Sequence, residues 1–389
     1  MTHAKVIRNV PARPPTPQRL GCRHAFKHVM ILSLHEVHAS LGATFTEISG
    51  CEAVAHYGQA AREHAALRTT AAVMDLGFRG RFCLTGADRV RLLHGQVTND
   101  VQGLSSLQGC YAAFVSNKGR MQADAFIYAL PNELLVDVEP GLTATLLQRL
   151  DHFIVADDVQ CIDVAPFYGL ITVQGPRAAA VLERLALGVA LPERNLAVAH
   201  LTDPTLGEIY LTRNARTGST GFDLFLPIEV QPMVLDKLVS AVRAEGGLLA
   251  GWDALELARI EAGIPRFGID MDETHLAPET GIESRAISYS KGCYIGQETI
   301  ARIRTYGQVG KALRGLRLPE DLTALPSRGD KLLREGREIG SVTSVIRSPA
   351  AGVVALGYVR RECNAVGTEL TLHSAGVEVP VKIVPLPFS

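Results

Sequence analysis

A pattern of strand-like and helix-like segments occurs twice in the first two-thirds of the chain. The first copy reads strand, helix, strand, strand, helix, at residues 81–84, 89–93, 124–130, 133–138 and 142–153. The second copy repeats that order at residues 168–174, 175–185, 208–213, 221–226 and 232–245. Strands joined by a short turn, such as the one at Pro131 and Asn132, pair antiparallel. The repeat therefore predicts an α+β fold with antiparallel sheets and argues against a doubly wound parallel sheet.

The pattern changes near residue 311. Short extended segments separated by Gly and Pro then follow one another, at residues 313–318, 338–346, 353–359, 368–373 and 377–384. Closely spaced strands of this kind are typical of a small β-barrel or sandwich. We therefore divide the chain into an α+β region at 36–310 and a C-terminal β-barrel domain at 311–389.

The first 35 residues differ from both regions. Six basic residues precede the first acid, Glu36, and four prolines lie between Pro11 and Pro17. The segment is a transit peptide, a disordered tail, or sequence upstream of a true start at Met30; the third explanation is preferred. The expected compartment is the cytoplasm, with the mitochondrial matrix as the alternative if the leader is a targeting signal.

Composition excludes several classes of protein. The chain has 47% hydrophobic and 20% charged residues and a formal net charge of -1, so no bulk field recruits nucleic acid or an anionic membrane. No apolar run approaches the roughly 20 residues that span a bilayer. The seven cysteines contain no CxxC pair, which favours reduced thiols over a disulfide framework or a zinc site.

The most informative motif is Lys-Gly-Cys-Tyr-Ile-Gly-Gln-Glu at residues 291–298. A helix is expected to begin at Gln297, which places Cys293 near a helix N-terminus and two residues from Lys291. Both neighbours would favour the thiolate, and hence a reactive cysteine. The alternative is a buried cysteine in a tight glycine turn.

This motif matches, at every position, the signature of the YgfZ-type folate-binding proteins in the glycine-cleavage T-protein (aminomethyltransferase) superfamily. T-proteins usually carry an acidic residue where Cys293 stands. Further segments resemble the family in the same order, at residues 93–101, 117–120, 216–221, 252–265 and 276–279. The resemblance covers about residues 60 to 385.

The resemblance implies tandem ferredoxin-like units around a central folate pocket, with tetrahydrofolate as the ligand. Cys293 and Lys291 would form the reactive site, and no metal site is implied. The residues expected to contact folate are Asn99, Asn117, Asp124, Arg259, Glu261, Tyr294, Gln297, Glu298 and Arg302. Read without the resemblance, Asp124 could simply end a hairpin and Glu261 could be a surface carboxylate.

Two departures from the T-proteins count against aminomethyl transfer. Their paired aspartates read Ala123-Asp124 here, and their glutamate after the Thr-Gly-x-Thr-Gly turn is replaced by Phe222, with Asp223 next. A carboxylate accepts two adjacent pterin N–H groups, so losing one should weaken folate binding.

The resemblance therefore implies a tetrahydrofolate-binding protein that supports iron–sulfur cluster assembly or repair, with the assembly machinery or client proteins as partners. It is not expected to be a conventional enzyme; if it is one, it is a folate-dependent aminomethyl or one-carbon transferase. The alternatives are the glycine-cleavage aminomethyltransferase and a tRNA-modification factor. The latter would bind tRNA weakly through the basic residues that follow Glu298.

Overall fold

The computed structural model describes residues 29–388, so the expectations for residues 1–28 lie outside the described residues. The fold begins before residue 36. Met30 forms a β-bridge with Cys51, and the side chains of Leu32 and Leu34 are buried. The last part of the segment set apart as a leader thus belongs to the folded body.

The secondary structure comprises the following elements. The helices in the described part of the chain are α1 His35–Ser40, α2 Ala60–Thr69, α3 Arg89–Gln96, α4 Thr143–Phe153, α5 Ala178–Glu183, α6 Gln231–Ala244, α7 Trp252–Glu261, α8 Glu283–Ala286 and α9 Gln297–Tyr306. The strands of the α+β region are β1 Thr44–Ile48, β2 Cys51–His56, β3 Ala72–Asp75, β4 Gly80–Thr85, β5 Gln108–Val115, β6 Met121–Ala129, β7 Leu134–Val138, β8 Gln160–Asp163, β9 Tyr168–Gln174, β10 Val198–Asp203, β11 Gly207–Arg213, β12 Gly221–Pro227 and β13 Leu248–Leu249. The C-terminal strands are β14 Lys311–Arg317, β15 Lys331–Arg334, β16 Arg337–Ser348, β17 Gly352–Arg360, β18 Glu369–Ser374 and β19 Val377–Val384.

The predicted repeat is confirmed as two units with the same topology. In the first, β4-α3-β5-β6-β7-α4-β8 forms a five-stranded sheet of order β5-β6-β7-β4-β8. In the second, β9-α5-β10-β11-β12-α6-β13 forms a sheet of order β10-β11-β12-β9-β3-β13, with β3 inserted from outside the unit. All pairs in these two sheets are antiparallel except β13 with β3. The fold is therefore α+β, as expected.

Each unit nevertheless contains two more strands than the sequence pattern indicated. The missed strand β5 begins Gln-Gly-Cys and contains two alanines, residue types with weak strand preference. The closing strands β8 and β13 are only four and two residues long. Strands this short carry too little alternation to be recognised.

The two sheets face each other across a shared core. On β6, Ala123, Ala125 and Ile127 point outward into a cluster with α3 and α4, whereas Asp124 and Phe126 point inward. The second sheet packs its outer face on α5 and α6. Tyr128 and Phe225 meet edge-on between the sheets, with ring centroids 5.7 Å apart. The inner faces thus enclose the space in which a ligand site can form.

The C-terminal strands close into an antiparallel barrel of order β14-β17-β16-β15-β18-β19. Its interior is apolar, with Leu316, Leu372 and Ile383 fully buried. The barrel packs against α7, the helix that also borders the space between the two sheets. Among residues 29–388, no helix is long and apolar enough to cross a membrane.

Candidate functional site

A cavity of about 390 Å³ lies between the inner faces of the two sheets and is bordered by α7. Its aromatic lining residues are Phe78, Tyr111, Phe126 and Trp252. Its charged lining residues are Arg79, Asp124, Glu139, Arg216, Glu256, Arg259, Arg266 and Arg285. The volume falls in the range typical of small-molecule sites, which combine an apolar lining with a few convergent polar groups.

Two carboxylates enter the cavity from neighbouring strands. Asp124 lies on β6, where its Oδ2 accepts a hydrogen bond from the Tyr111 hydroxyl at 2.7 Å. Glu139 follows β7 and is paired with Arg79. Burial and the negative charge of Glu139 raise the pKa of Asp124 to about 6. A carboxyl that titrates near neutral pH inside a cavity is a candidate for binding or proton exchange.

A buried ionic network supports one side of the cavity. Arg79 Nε donates to Asp137 Oδ1 at 2.7 Å, and Arg216 Nε lies 3.0 Å from each oxygen of Asp223. Asn214 donates to the same carboxylate at 2.9 Å. Burial opposes ionisation of Asp137, but Arg79 and Arg216 hold its pKa below the ordinary value. Arg79 and Arg216 are therefore held from behind the cavity by Asp137 and Asp223, which do not line it.

The structure shows which way the side chains point at the two positions where the sequence departs from the T-proteins. Ala123 is fully buried on the outer face of β6, so a carboxylate at that position would point toward α3 and α4 rather than into the cavity. Phe222 likewise packs in the core beneath α5 and α6. Asp223 faces the other way, as alternation requires, but both its oxygens are held by Arg216 and Asn214. It does not replace the missing glutamate.

The cysteine motif adopts a turn that is anchored next to the cavity rather than inside it. The ammonium group of Lys291 donates to the backbone carbonyls of His94, Val97 and Asn99 at 2.6, 2.7 and 2.9 Å. Burial lowers the pKa of Lys291 to about 8. Lys291 therefore fixes the turn to the end of α3 and the loop that follows it. Asn99 lines the cavity, so this loop links the cysteine motif to the cavity.

Gly296 allows the motif to pack closely against the β5–β6 turn. It has φ +84°, and a Cβ there would lie 2.4 Å from the carbonyl oxygen of Ser116. α9 begins directly afterwards, as expected. Cys293 is exposed on this turn. The other free cysteines in the described part of the chain are buried or half-buried.

The cavity contains three of the expected folate-contact residues, namely Asn99, Asp124 and Arg259. The other expected residues lie outside its lining: Asn117, Glu261, Lys291, Cys293, Tyr294, Gln297, Glu298 and Arg302. Glu298 and Arg302 form an exposed ion pair along α9 at 3.1 Å. Tyr294 is buried, and burial raises its pKa to about 12. The signature packs against the β5–β6 turn at Gly296, and none of its residues lines the cavity.

Glu261 is separated from the cavity by the geometry of its helix. Residues two positions apart on a helix point in nearly opposite directions, so Arg259 and Glu261 cannot share one face. Glu261 lies 2.9 Å from both His64 Nε2 and Arg68 Nη1 and accepts a hydrogen bond from Ser348 of the barrel. It joins α2, α7 and the barrel.

Sequence reasoning missed most of the cavity, including Tyr111, Glu139 and Arg79. Glu139 follows the run Val-Asp-Val, whose alternation of apolar and acidic residues usually marks a solvent-exposed strand face. Here that face is turned inward because the second sheet covers it.

The basic residues after Glu298 are engaged within the protein. Arg304 lies 3.8 Å over the ring of Tyr289, and Lys311 lies 4.8 Å over that of Tyr358. Arg314 donates to the backbone carbonyl of Asn364 at 2.8 Å. Within the described residues, no group of His, Cys, Asp and Glu side chains could hold a metal ion.

Comparison with known proteins places this fold in a defined class. The GCVT N-terminal domain family matches residues 34–291, and the glycine cleavage T-protein C-terminal barrel domain matches residues 311–389. The glycine cleavage aminomethyltransferase of Bartonella henselae has the same fold, with a TM-score of 0.83 over 93% of this chain and 98% of that one, at 24% identity. Both proteins are two-sheet α+β proteins with a C-terminal barrel.

Sequence relatives narrow this class to one family. An aminomethyltransferase of Saccharopolyspora erythraea is 30% identical over 91% of this chain and 96% of its own length. One from Rubrobacter xylanophilus is 31% identical over 91% and 93%. A putative transferase of Arabidopsis thaliana, described as chloroplastic, is 28% identical over 77% and 68%. The chain belongs to the glycine-cleavage T-protein family.

Proposed function

We propose that the chain binds tetrahydrofolate in the central cavity and transfers a one-carbon unit to or from it, as a folate-dependent transferase of the aminomethyltransferase type. The observation that carries the proposal is the aromatic cavity between the two sheets, into which Asp124 and Glu139 direct buried oxygens without a hydrogen-bond partner among the described residues. The relatives named aminomethyltransferase support the same chemistry.

The cavity residues fit a reduced folate. A pterin is a flat ring system with N–H donors and ring-nitrogen acceptors, which suits aromatic walls and carboxyl groups that can donate as well as accept. Asp124 Oδ1 and Glu139 Oε2 are buried oxygens without a hydrogen-bond partner among the described residues. Arg266 lies over the ring of Trp252 at 4.6 Å and the exposed Arg285 over that of Tyr111 at 5.0 Å. Arg266 also pairs with Glu256, so Arg285 is the cation that better suits a carboxylate of a folate tail.

The protein's own groups supply binding and proton control. When bound, tetrahydrofolate would provide the nitrogen that carries the one-carbon unit. Asp124 is held by Tyr111 and titrates near neutral pH, so it can exchange a proton with a neighbouring nitrogen. Asp124 Oδ1 is buried between the two sheets, which limits the contact of such an exchange with bulk water.

Calorimetric titration of tetrahydrofolate into the full chain tests the binding step. Wild-type protein is expected to bind in the micromolar range, and Asp124→Asn about tenfold more weakly, because a carboxyl is lost from the cavity. Asp236→Asn, an exposed position on α6, is the matched control and should bind like wild type. Absence of binding to wild type would contradict the proposal.

A transfer assay separates the one-carbon reaction from binding. Wild-type protein, tetrahydrofolate and an aminomethylated carrier protein should release ammonia and form the methylene-folate. Tight binding without turnover would leave a folate-binding protein and reject the transferase.

A second candidate function rests on the exposure of Cys293. In this reading the chain is a YgfZ-type protein that supports iron–sulfur cluster assembly or repair, and the exposed thiol reaches the machinery or a client. A YgfZ-deficient strain should be rescued by wild type and by the control Cys161→Ala, but not by Cys293→Ala. Full rescue by Cys293→Ala would reject it. The engaged basic residues near α9 give no comparable support to tRNA binding.

A further inference from the structure

Asp124 and Glu139 occupy directly opposed positions on neighbouring strands. Ala125 pairs with Val138, and Phe126 with Asp137, in the antiparallel register of β6 and β7. Extending that register by one residue sets Asp124 opposite Glu139. Directly opposed residues have Cβ atoms about 5 Å apart, a distance at which two ionised carboxylates repel each other.

Each of these carboxyl groups has one oxygen engaged and one left over. Tyr111 donates to Asp124 Oδ2, and Arg79 to Glu139 Oε1. The remaining oxygens, Asp124 Oδ1 and Glu139 Oε2, are buried and have no donor within the described chain. Two buried, opposed acceptors are satisfied together if a single proton lies between them.

We propose that Glu139 is a positioning residue of the site, which forms a carboxyl–carboxylate pair with Asp124 that shares one proton at mildly acidic pH. Below the Asp124 midpoint the pair carries one proton and one negative charge, and above it both groups are ionised. The significance for folate rests on the proposed function, because a protonated Asp124 presents a ligand with an O–H donor as well as acceptors.

The groups around the pair affect the protonation of Asp124 in opposite directions. Burial and Glu139 favour the protonated form of Asp124, whereas the Tyr111 hydroxyl and Arg79 favour the ionised form. Further charges are more distant and neutralised: Asp137 by Arg79 and Arg216, and Asp223 by Arg216. Arg285 lies over the far side of the Tyr111 ring. Among these groups, Glu139 is the cross-strand neighbour that opposes ionisation.

Carboxyl-carbon NMR of aspartate-labelled, ligand-free protein tests the pair directly. Asp124 should titrate near pH 6 in wild type, and Glu139→Gln should lower that midpoint by about one unit, because the opposing charge is gone. Glu139→Asp keeps the charge and should retain a raised midpoint. Glu229→Gln, an exposed position remote from the cavity, is the control. An unchanged Asp124 midpoint in a folded Glu139→Gln protein would overturn the inference.

Tetrahydrofolate affinity measured against pH links the pair to the ligand. Wild-type affinity should fall as pH rises through the Asp124 midpoint, and in Glu139→Gln this fall should occur at lower pH. Identical profiles in the two proteins would overturn the role of Glu139. Failure of wild type to bind at any pH would instead reject the proposed function, while the NMR titration still decides whether the pair exists.

Discussion

At the scale of single residues, the proposed folate site depends on Asp124. The sequence placed Asp124 at the start of a strand, and the family resemblance predicted that it contacts folate. The direction of its side chain was not evident, because two adjacent residues on a strand face opposite sides and the sequence does not say which side is covered. Glu139 was missed for the same reason.

The raised pKa of Asp124 predicts a pH-dependent effect on stability. Its value rises from 3.8 to about 6 on folding, so the free energy of unfolding falls as pH rises between those values and stays reduced above pH 6. Asp124→Asn removes the ionisation. Its effect on the free energy of unfolding should therefore be more favourable at pH 8 than at pH 4 by roughly 2 kcal/mol. Denaturant unfolding at both pH values measures this difference. An equal effect at the two would contradict a raised pKa.

At the scale of elements, most helices and strands followed from periodicity and turn residues. The exceptions, such as β5 and β13, are strands defined by their neighbours in the sheet rather than by their own sequence. The cysteine motif was recognised as a turn before a helix, but its contact with the β5–β6 turn could not be predicted. That contact joins segments almost 180 residues apart.

Gly296 provides a test of this contact. Gly296→Ala should destabilise the protein by about 3 kcal/mol, because it combines left-handed backbone strain with a clash against Ser116. Gly246→Ala is a matched control, since Gly246 has φ +74° with nothing within 4 Å of the added Cβ. It should cost only about 1 kcal/mol. Equal losses in thermal unfolding would show that the motif does not pack as described.

At the scale of the whole molecule, the barrel and the cavity share α7. Asp270 is fully buried, pairs with Arg259 of the cavity and accepts from Thr343 and Ser344 of the barrel at 2.6 Å each. The barrel itself was predicted from its short strands. Its connection to the cavity through Arg259 was not, because it depends on which face α7 presents.

Asp270→Asn should therefore destabilise the protein by about 2 kcal/mol, since it removes the closest charge partner of the buried Arg259, which is left with Glu256. Lys331→Gln breaks an exposed barrel ion pair with Glu338 and should cost under about 1 kcal/mol. Thermal unfolding compares the two. Similar small losses in both would mean that this buried pair does not stabilise the junction.

Tetrahydrofolate is proposed to occupy the cavity between the sheets. Trp252, the single tryptophan of the chain, lines that cavity, so its fluorescence reports directly on occupancy. Tetrahydrofolate titrated into the full chain should change the Trp252 emission saturably, beyond the absorption effect seen with a free tryptophan analogue. The change should require more ligand in Asp124→Asn. An emission that follows the free analogue at every concentration would contradict the account.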